Sequence, residues 1–217
     1  DNTYIGHNVQ IICDNFKIQI NGVIHVGAFV GDELDAYRQL GLTNTILFEP
    51  QKHLYEIVQA KCRNDEKVFN VALGSHPHEA NLIISQTQGG IFNGSGASSS
   101  LLPPKKHLTE HPNITFGSEE WVQIECLDPF LPRNHIDITG YNFLNIDVQG
   151  YELEVLKGGT KTLSHIDAMI VEVNRDEMYE GCPMIQDIDD FLQGYKFTRE
   201  LTYWQSTSWG DALYVKH

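Results

Sequence analysis

The sequence predicts an α/β fold: a mostly parallel sheet of about seven strands with helices on both faces. Three observations carry this. Short runs rich in β-branched and aromatic residues alternate with amphipathic stretches of about ten residues in the first half of the chain. One later run, 168–173, is almost continuously apolar, as a central strand buried on both faces must be. Two glycines four apart, Gly27 and Gly31, sit where the first run gives way to the first amphipathic stretch. Strands joined through helices need crossovers, and crossovers set successive strands parallel.

Taken in order, 22–28 reads as a buried strand and 32–40 as a helix with Leu34, Tyr37 and Leu40 on one face, closed by Gly41. Residues 45–49 form a second strand. A second helix, 51–63, carries apolar Leu54, Ile57 and Val58, with Ala60 beside them. A third strand spans 67–73, and 81–85 continues in extended form. Further strands are expected at 122–127, 141–146 and 168–173, with helices at 150–163 and 185–192. Residues 195–203 and 212–216 form a closing antiparallel pair. The stretch 88–117 breaks the rhythm with glycines, three successive serines (Ser98, Ser99, Ser100) and Pro103-Pro104. A loop this long in a compact domain serves a function or is disordered. At 217 residues, 1–217 reads as one domain, with 1–21 as an N-terminal extension.

Composition narrows the partners. Apolar residues at 41% and charged residues at 20% suit an ordinary globular protein. The net charge of −14 repels phosphate backbones and anionic lipid, which argues against nucleic acid and membrane partners. No apolar run approaches the ~20 residues that span a bilayer. The start, Asp1-Asn-Thr-Tyr4, has no signal-peptide pattern and no Met, so a processed chain or a piece of a longer protein is expected. Cys13, Cys62, Cys126 and Cys182 form no C-x-x-C pair and read as free thiols of a reducing, cytoplasmic compartment. Two matches to the glycosylation pattern, at Asn93 and Asn113, read as chance.

The stretch Val23-Ile-His-Val-Gly-Ala-Phe-Val-Gly31 places small residues at a strand-to-helix junction. There the backbone turns sharply and offers unpaired N–H groups to a ligand, although a plain structural turn needs the same residues. The third glycine of the dinucleotide fingerprint is missing, which disfavours a nicotinamide cofactor. Glu49 ends the second strand eighteen residues after Gly31. In a sheet of this kind an acid at that point meets ribose hydroxyls; otherwise it is a solvated strand-end acid. Loop and acid together point to a nucleoside site.

At this point the sequence resembles the FkbM family of methyltransferases. The matching stretches, in family order, are the one from Val23 to Glu33, Ile46-Leu-Phe-Glu-Pro50, Phe143-Leu-Asn-Ile-Asp-Val-Gln-Gly-Tyr-Glu152, Val155-Leu-Lys-Gly-Gly159, Val171-Glu-Val-Asn174 and Trp209-Gly-Asp-Ala-Leu213. The resemblance implies a Rossmann-like class I methyltransferase fold with S-adenosylmethionine as cofactor. It implies that Gly27, Ala28 and Gly31 line the methionine and ribose end, that Glu49 holds the ribose, and that Ala72 borders the adenine. The family's usual acid two residues before the first glycine is replaced by His25. His25 therefore stands either beside the cofactor's amino group or as a hydrogen-bonded core histidine.

Asp147 ends a buried strand and is followed by Gln149-Gly150 and a helix start. Methyl transfer to an alcohol needs the hydroxyl proton drawn away, and ligands bind at strand carboxyl ends in open α/β sheets. Asp147 is thus the leading catalytic candidate, set beside the reactive methyl and so also in contact with the cofactor; its structural alternative is a helix cap. Glu172 and Asn174 alternate on the next strand and share one face. Glu172 joins Asp147 as a catalytic candidate, and the three together form a tentative oxygen set for Mg²⁺. Glu152 and Glu154 are accounted for by helix-dipole pairing. The 88–117 loop is a candidate lid whose Ser99, Ser100 and His107 bind a polyol, or else a plain flexible loop. Tyr179, Trp204 and Trp209 form an apolar floor under a sugar ring or pack in the core.

By the resemblance, the acceptor is a saccharide hydroxyl, with a deoxyhexose of a glycan or glycosylated metabolite expected. A glycosyltransferase is the expected neighbour if the chain is part of a longer protein. Two rivals stand beside this reading. A nicotinamide-dependent sugar oxidoreductase lacks support in the missing third glycine and the absence of a Tyr-x-x-x-Lys pair. A non-catalytic glycan-binding module would not need Glu49 and Asp147 intact.

Overall fold

The computed structural model describes residues 9–10, 13–42, 44–63, 65–87 and 96–217. Four short strands form its centre: β1 (Val23–Val26), β2 (Thr45–Phe48), β7 (Phe143–Ile146) and β8 (Ala168–Asn174), every residue buried. With β3 (Glu66–Phe69), β9 (Phe197–Trp204) and β10 (Trp209–Lys216) they make a seven-stranded sheet in the order β3-β2-β1-β7-β8-β10-β9. The five strands from β3 to β8 run parallel, and β10 and β9 close the edge antiparallel. This is the α/β arrangement that the strand-helix alternation predicts.

Period two along each strand feeds two cores. Ile24, Val26, Leu144, Ile146, Met169 and Val171 face one side, which is covered by α4 (Leu127–Arg133), α5 (Glu152–Lys157) and α6 (Ile185–Gln193) through Phe130, Leu131, Val155, Leu156, Ile188 and Leu192. Val23, Phe143, Ile170 and Leu213 face the other, against Tyr37 of α1 (Glu33–Gln39). Beside it α2 (Lys52–Lys61) brings Val58 against Ala28, Leu34 and Leu47. Helices therefore cover both faces, and burial of roughly 1.5–3 kcal/mol per large apolar side chain holds the layers together. Among the described residues, no helix is long and apolar enough to cross a membrane.

Several expected elements divide differently. The 67–73 strand breaks at Asn70, whose amide holds the Glu49 and Pro50 carbonyls and turns the chain out of the main sheet. Ala72 therefore lies in a separate strand, β4 (Ala72–Leu73), which joins a second sheet of order β4-β6-β5. That sheet is mostly a long hairpin of β5 (His78–Thr87) and β6 (Ile114–Glu125), so 122–127 is only the tail of a twelve-residue strand. Part of the expected 88–117 loop is structured as a turn of helix, α3 (His107–Glu110), and as the start of β6; residues 88–95 lie outside the described set. The 150–163 helix stops at Lys157 because Gly158 abuts the Gly74 carbonyl, where a Cβ would stand 2.0 Å from that oxygen. A 3₁₀ turn, Thr162–His165, follows, anchored by Asp128 through the Lys161 and Thr162 amides. Helix α4 carries no expectation in the sequence because Pro129 and Pro132 obscure it. Pro129 falls in the first turn, where an N–H has no intrahelical partner.

Candidate functional site

Strand order reverses between β1 and β7: the chain fills one side of β1 first and the other side later. Clefts outside strand carboxyl ends open at such a reversal. Here the cleft encloses about 820 Å³ including its mouth. Its floor is Gly27, at φ +89°, packed so tightly on the strand beyond that a Cβ would lie 1.8 Å from the Asp147 carbonyl oxygen. Only a glycine joins the two strand ends this closely.

Glu49 stands at the β2 end of the cleft and is 2% exposed. Its Oε2 accepts from the Phe29 amide at 2.8 Å and its Oε1 from the Gln51 amide at 2.9 Å. Phe29 reaches this geometry with φ +49°, a left-handed conformation that aims its N–H back at the acid. Burial outweighs these hydrogen bonds and pushes the Glu49 pKa up to about 7. Each oxygen keeps a lone pair for a further donor, as a vicinal diol requires. Ala72 lines the same cleft from the second sheet. Ala28 and Gly31 do not line it. They shape the loop from behind: Ala28 packs on Leu34, Leu47 and Val58, and Gly31 at φ +71° closes a turn onto the Ala28 carbonyl.

His25 takes the second of its two expected places. It is 2% exposed and lies outside the cleft's lining, with Nδ1 3.1 Å from the Tyr37 hydroxyl. That hydroxyl accepts from Asn145 Nδ2 at 2.9 Å, so it donates to Nδ1. Burial lowers the His25 pKa to about 4 and keeps the ring neutral.

Asp147 stands in the open cleft one residue past β7, and Glu172 lies beside it on β8, 3% exposed. Gln149 joins them: its Nε2 donates to Asp147 Oδ1 at 2.6 Å and to Glu172 Oε2 at 3.0 Å. Gln149 adopts φ +55° and Gly150 φ +99°, and this pair of left-handed residues swings the amide back over the acids. Burial first, then the Asp147 and Glu152 charges, lifts the Glu172 pKa well above the carboxylate range. Burial likewise raises the Asp147 pKa, so the two acids sit together with both carboxyls shifted upward. The expected pairing of Glu152 with the helix dipole becomes a more specific bond: Glu152 accepts from the Val148 and Gly150 amides, both at 3.1 Å, and fixes the turn that carries Gln149. Glu154 pairs with Lys157 and Ser75. Asn174 is 1% exposed with neither side-chain polar atom bonded. Among the described residues no group of three His, Cys, Asp or Glu is placed to hold a metal. The tentative Mg²⁺ set of Asp147, Glu172 and Asn174 therefore finds no support in this geometry.

The loop segment after residue 95 is laced over the cleft. Gln51 Nε2 donates to the Gly96 carbonyl at 3.1 Å, and Ser99 Oγ links the Ser85 amide to Gln51 Oε1. Ser100 Oγ donates to the Gln149 carbonyl at 2.6 Å, and the Tyr179 hydroxyl lies 2.9 Å from Gln149 Oε1 and 3.0 Å from the Ser98 carbonyl. Ser99 lines the cleft; both Ser99 and Ser100 are buried, with their hydroxyls bonded within the chain. His107, also buried, packs against Tyr179 and Phe116 outside the cleft's lining, its pKa lowered to about 4 by burial and then by His111. Trp204 lies under the Arg175 guanidinium, and Trp209 packs with Met178 and Tyr179. Glu33, Gln51, Gln149 and Tyr151 line the cleft without having been singled out in the sequence. For Gln149 the one available signal was its place before Gly150 in a strand-to-helix turn.

Residues 25–202 match the family described as methyltransferase FkbM domain. The chain belongs to that family. A 2-O-methyltransferase, NoeI, of Sinorhizobium fredii is 24% identical over 185 residues, covering 82% of this chain and 73% of NoeI. The fold of this FkbM methyltransferase is shared with magnesium protoporphyrin IX methyltransferase from Synechocystis, solved with bound SAM, at TM-score 0.51 and 12% identity over 100% of this chain and 82% of that one. It is shared also with the methyltransferase domain of bacterial CtHen1, at TM-score 0.53 and 10% identity over 99% and 98%. The expected oxidoreductase rival gives way to the family match. All four cysteines of the chain, Cys13, Cys62, Cys126 and Cys182, are free.

Proposed function

We propose that this FkbM methyltransferase moves a methyl group from S-adenosylmethionine to a hydroxyl of an uncharged saccharide, with a deoxyhexose as the expected sugar. One observation carries the reading: a single cleft holds Glu49 at one strand end and the exposed Asp147 at another, with a glycine floor between them. Glu49 has the free lone pairs to hold a ribose diol, and Gly27 allows the close approach that a nucleoside needs. The bound donor supplies a methyl group made electrophilic by its sulfonium. An acceptor hydroxyl gives up its proton as the new C–O bond forms, and Asp147, facing the cleft, takes or orients that proton. Gln149 holds Asp147 in place and ties it to Glu172 behind it. The 2-O-methyltransferase relative supports a hydroxyl acceptor. The net charge of −14 and the absence of Lys, Arg and His among the described lining residues support one with no negative charge.

Incubation with donor carrying a labelled methyl and a panel of neutral, amino and acidic saccharides tests the proposal. Label should appear on neutral sugars as an alkali-stable ether. Label confined to acidic acceptors or to nitrogen would overturn the acceptor class.

A further inference from the structure

His25, two residues before Gly27, is neutral, buried and bonded to Tyr37, outside the cleft. The cleft carries a carboxylate besides Glu49 and Asp147. Glu33, the first residue of α1, lines it together with Gly27 and Asp147. Its charge is felt at Asp147 and at the Tyr37 hydroxyl, which puts it at the β1–β7 end; the carboxylate felt at Glu49 is Glu120 instead. No described side chain donates a hydrogen bond to Glu33. Lys61, the cation acting on it, lies outside the cleft's lining, with its ammonium on the Val30 carbonyl and 3.5 Å from Asp32. Burial lifts the Glu33 pKa above the ordinary range. A half-buried acid bonded to no other side chain favours a ligand that brings a cation.

We infer that Glu33 holds the α-ammonium of the methyl donor's amino acid end. The inference rests on the donor reading proposed above and adds to it. Glu49 would then bind the nucleoside end and Glu33 the amino acid end, with the sulfur between them beside Asp147. The β1 strand position is freed from ligand contact, so a histidine can occupy it and tie the strand to α1 through Tyr37.

Two ligands separate the ends. S-adenosylhomocysteine carries the amino acid group, whereas 5′-methylthioadenosine keeps the nucleoside and sulfur but lacks it. By calorimetry, Glu33→Gln should weaken S-adenosylhomocysteine binding about ten- to hundred-fold and leave methylthioadenosine within about two-fold, which also shows the site still folded. If the wild type binds both and Glu33→Gln shifts neither, or both alike, the assignment of Glu33 fails while the donor reading stands. If the wild type binds neither, the donor reading fails and this inference goes with it.

Discussion

The Gln149 amide nitrogen lies 2.6 Å from Asp147 Oδ1, and the same nitrogen reaches Glu172 Oε2 at 3.0 Å. One neutral amide thus bridges an exposed acid and a buried one whose pKa burial raises. Gln149→Leu keeps the bulk and removes the donor. Turnover should fall about ten- to hundred-fold, the loss expected for hydrogen bonds to a charged group. S-adenosylhomocysteine affinity should stay within about three-fold. Steady-state kinetics beside calorimetry decides, and unchanged turnover would make the bridge a packing feature only.

Glu49→Ala removes the acid at the other end of the cleft. Affinity for S-adenosylhomocysteine and for methylthioadenosine should fall together, about ten- to hundred-fold. This differs from Glu33→Gln, which is expected to affect only the first. An unchanged dissociation constant would take Glu49 out of the site.

Glu49, Glu152 and Asp211 all have pKa values of about 7, raised chiefly by burial. The unfolded chain ionises these groups at their ordinary values, near 4, so each favours folding at low pH and loses that advantage as pH rises toward 7. Between pH 6 and pH 8 the loss is about 1 kcal/mol for each group. The ligand-free protein should therefore melt several degrees higher at pH 6 than at pH 8. A melting temperature that is flat or rising over this range would show that the acids are already charged in the free protein.

His25→Leu leaves the Tyr37 hydroxyl without its acceptor in a buried layer. Stability should drop by about 1–3 kcal/mol in a urea titration, with S-adenosylhomocysteine affinity unchanged. A selective loss of affinity would return His25 to the cofactor site.

The legible parts of this fold share a physical cause. β1, β2, β7 and β8 are buried on both faces, so each reads as an apolar run whose last residues must lie at the cleft; Glu49 and Asp147 follow directly. Where burial is one-sided or absent the pattern fades. The hairpin of β5 and β6 exposes residues such as Trp121, and its N-terminal half looks like loop. The break at Asn70 depends on a side chain reaching back to two carbonyls, which periodicity cannot reveal. Ser99 and Ser100 look like sugar ligands as a polar triplet, yet only the fold shows Gln51 and Gln149 already bonded to them. Glu33 looks like any acid in a first helical turn until His25 is seen turned away.

Asp147→Asn tests the central claim most directly. Rapid-mix single-turnover transfer of labelled methyl to the preferred saccharide should be slowed about 10²–10⁴-fold, the usual worth of a positioned base, while S-adenosylhomocysteine affinity stays within about three-fold. Wild-type transfer by a folded Asp147→Asn protein would contradict the account and leave Asp147 as a cap on the turn before α5.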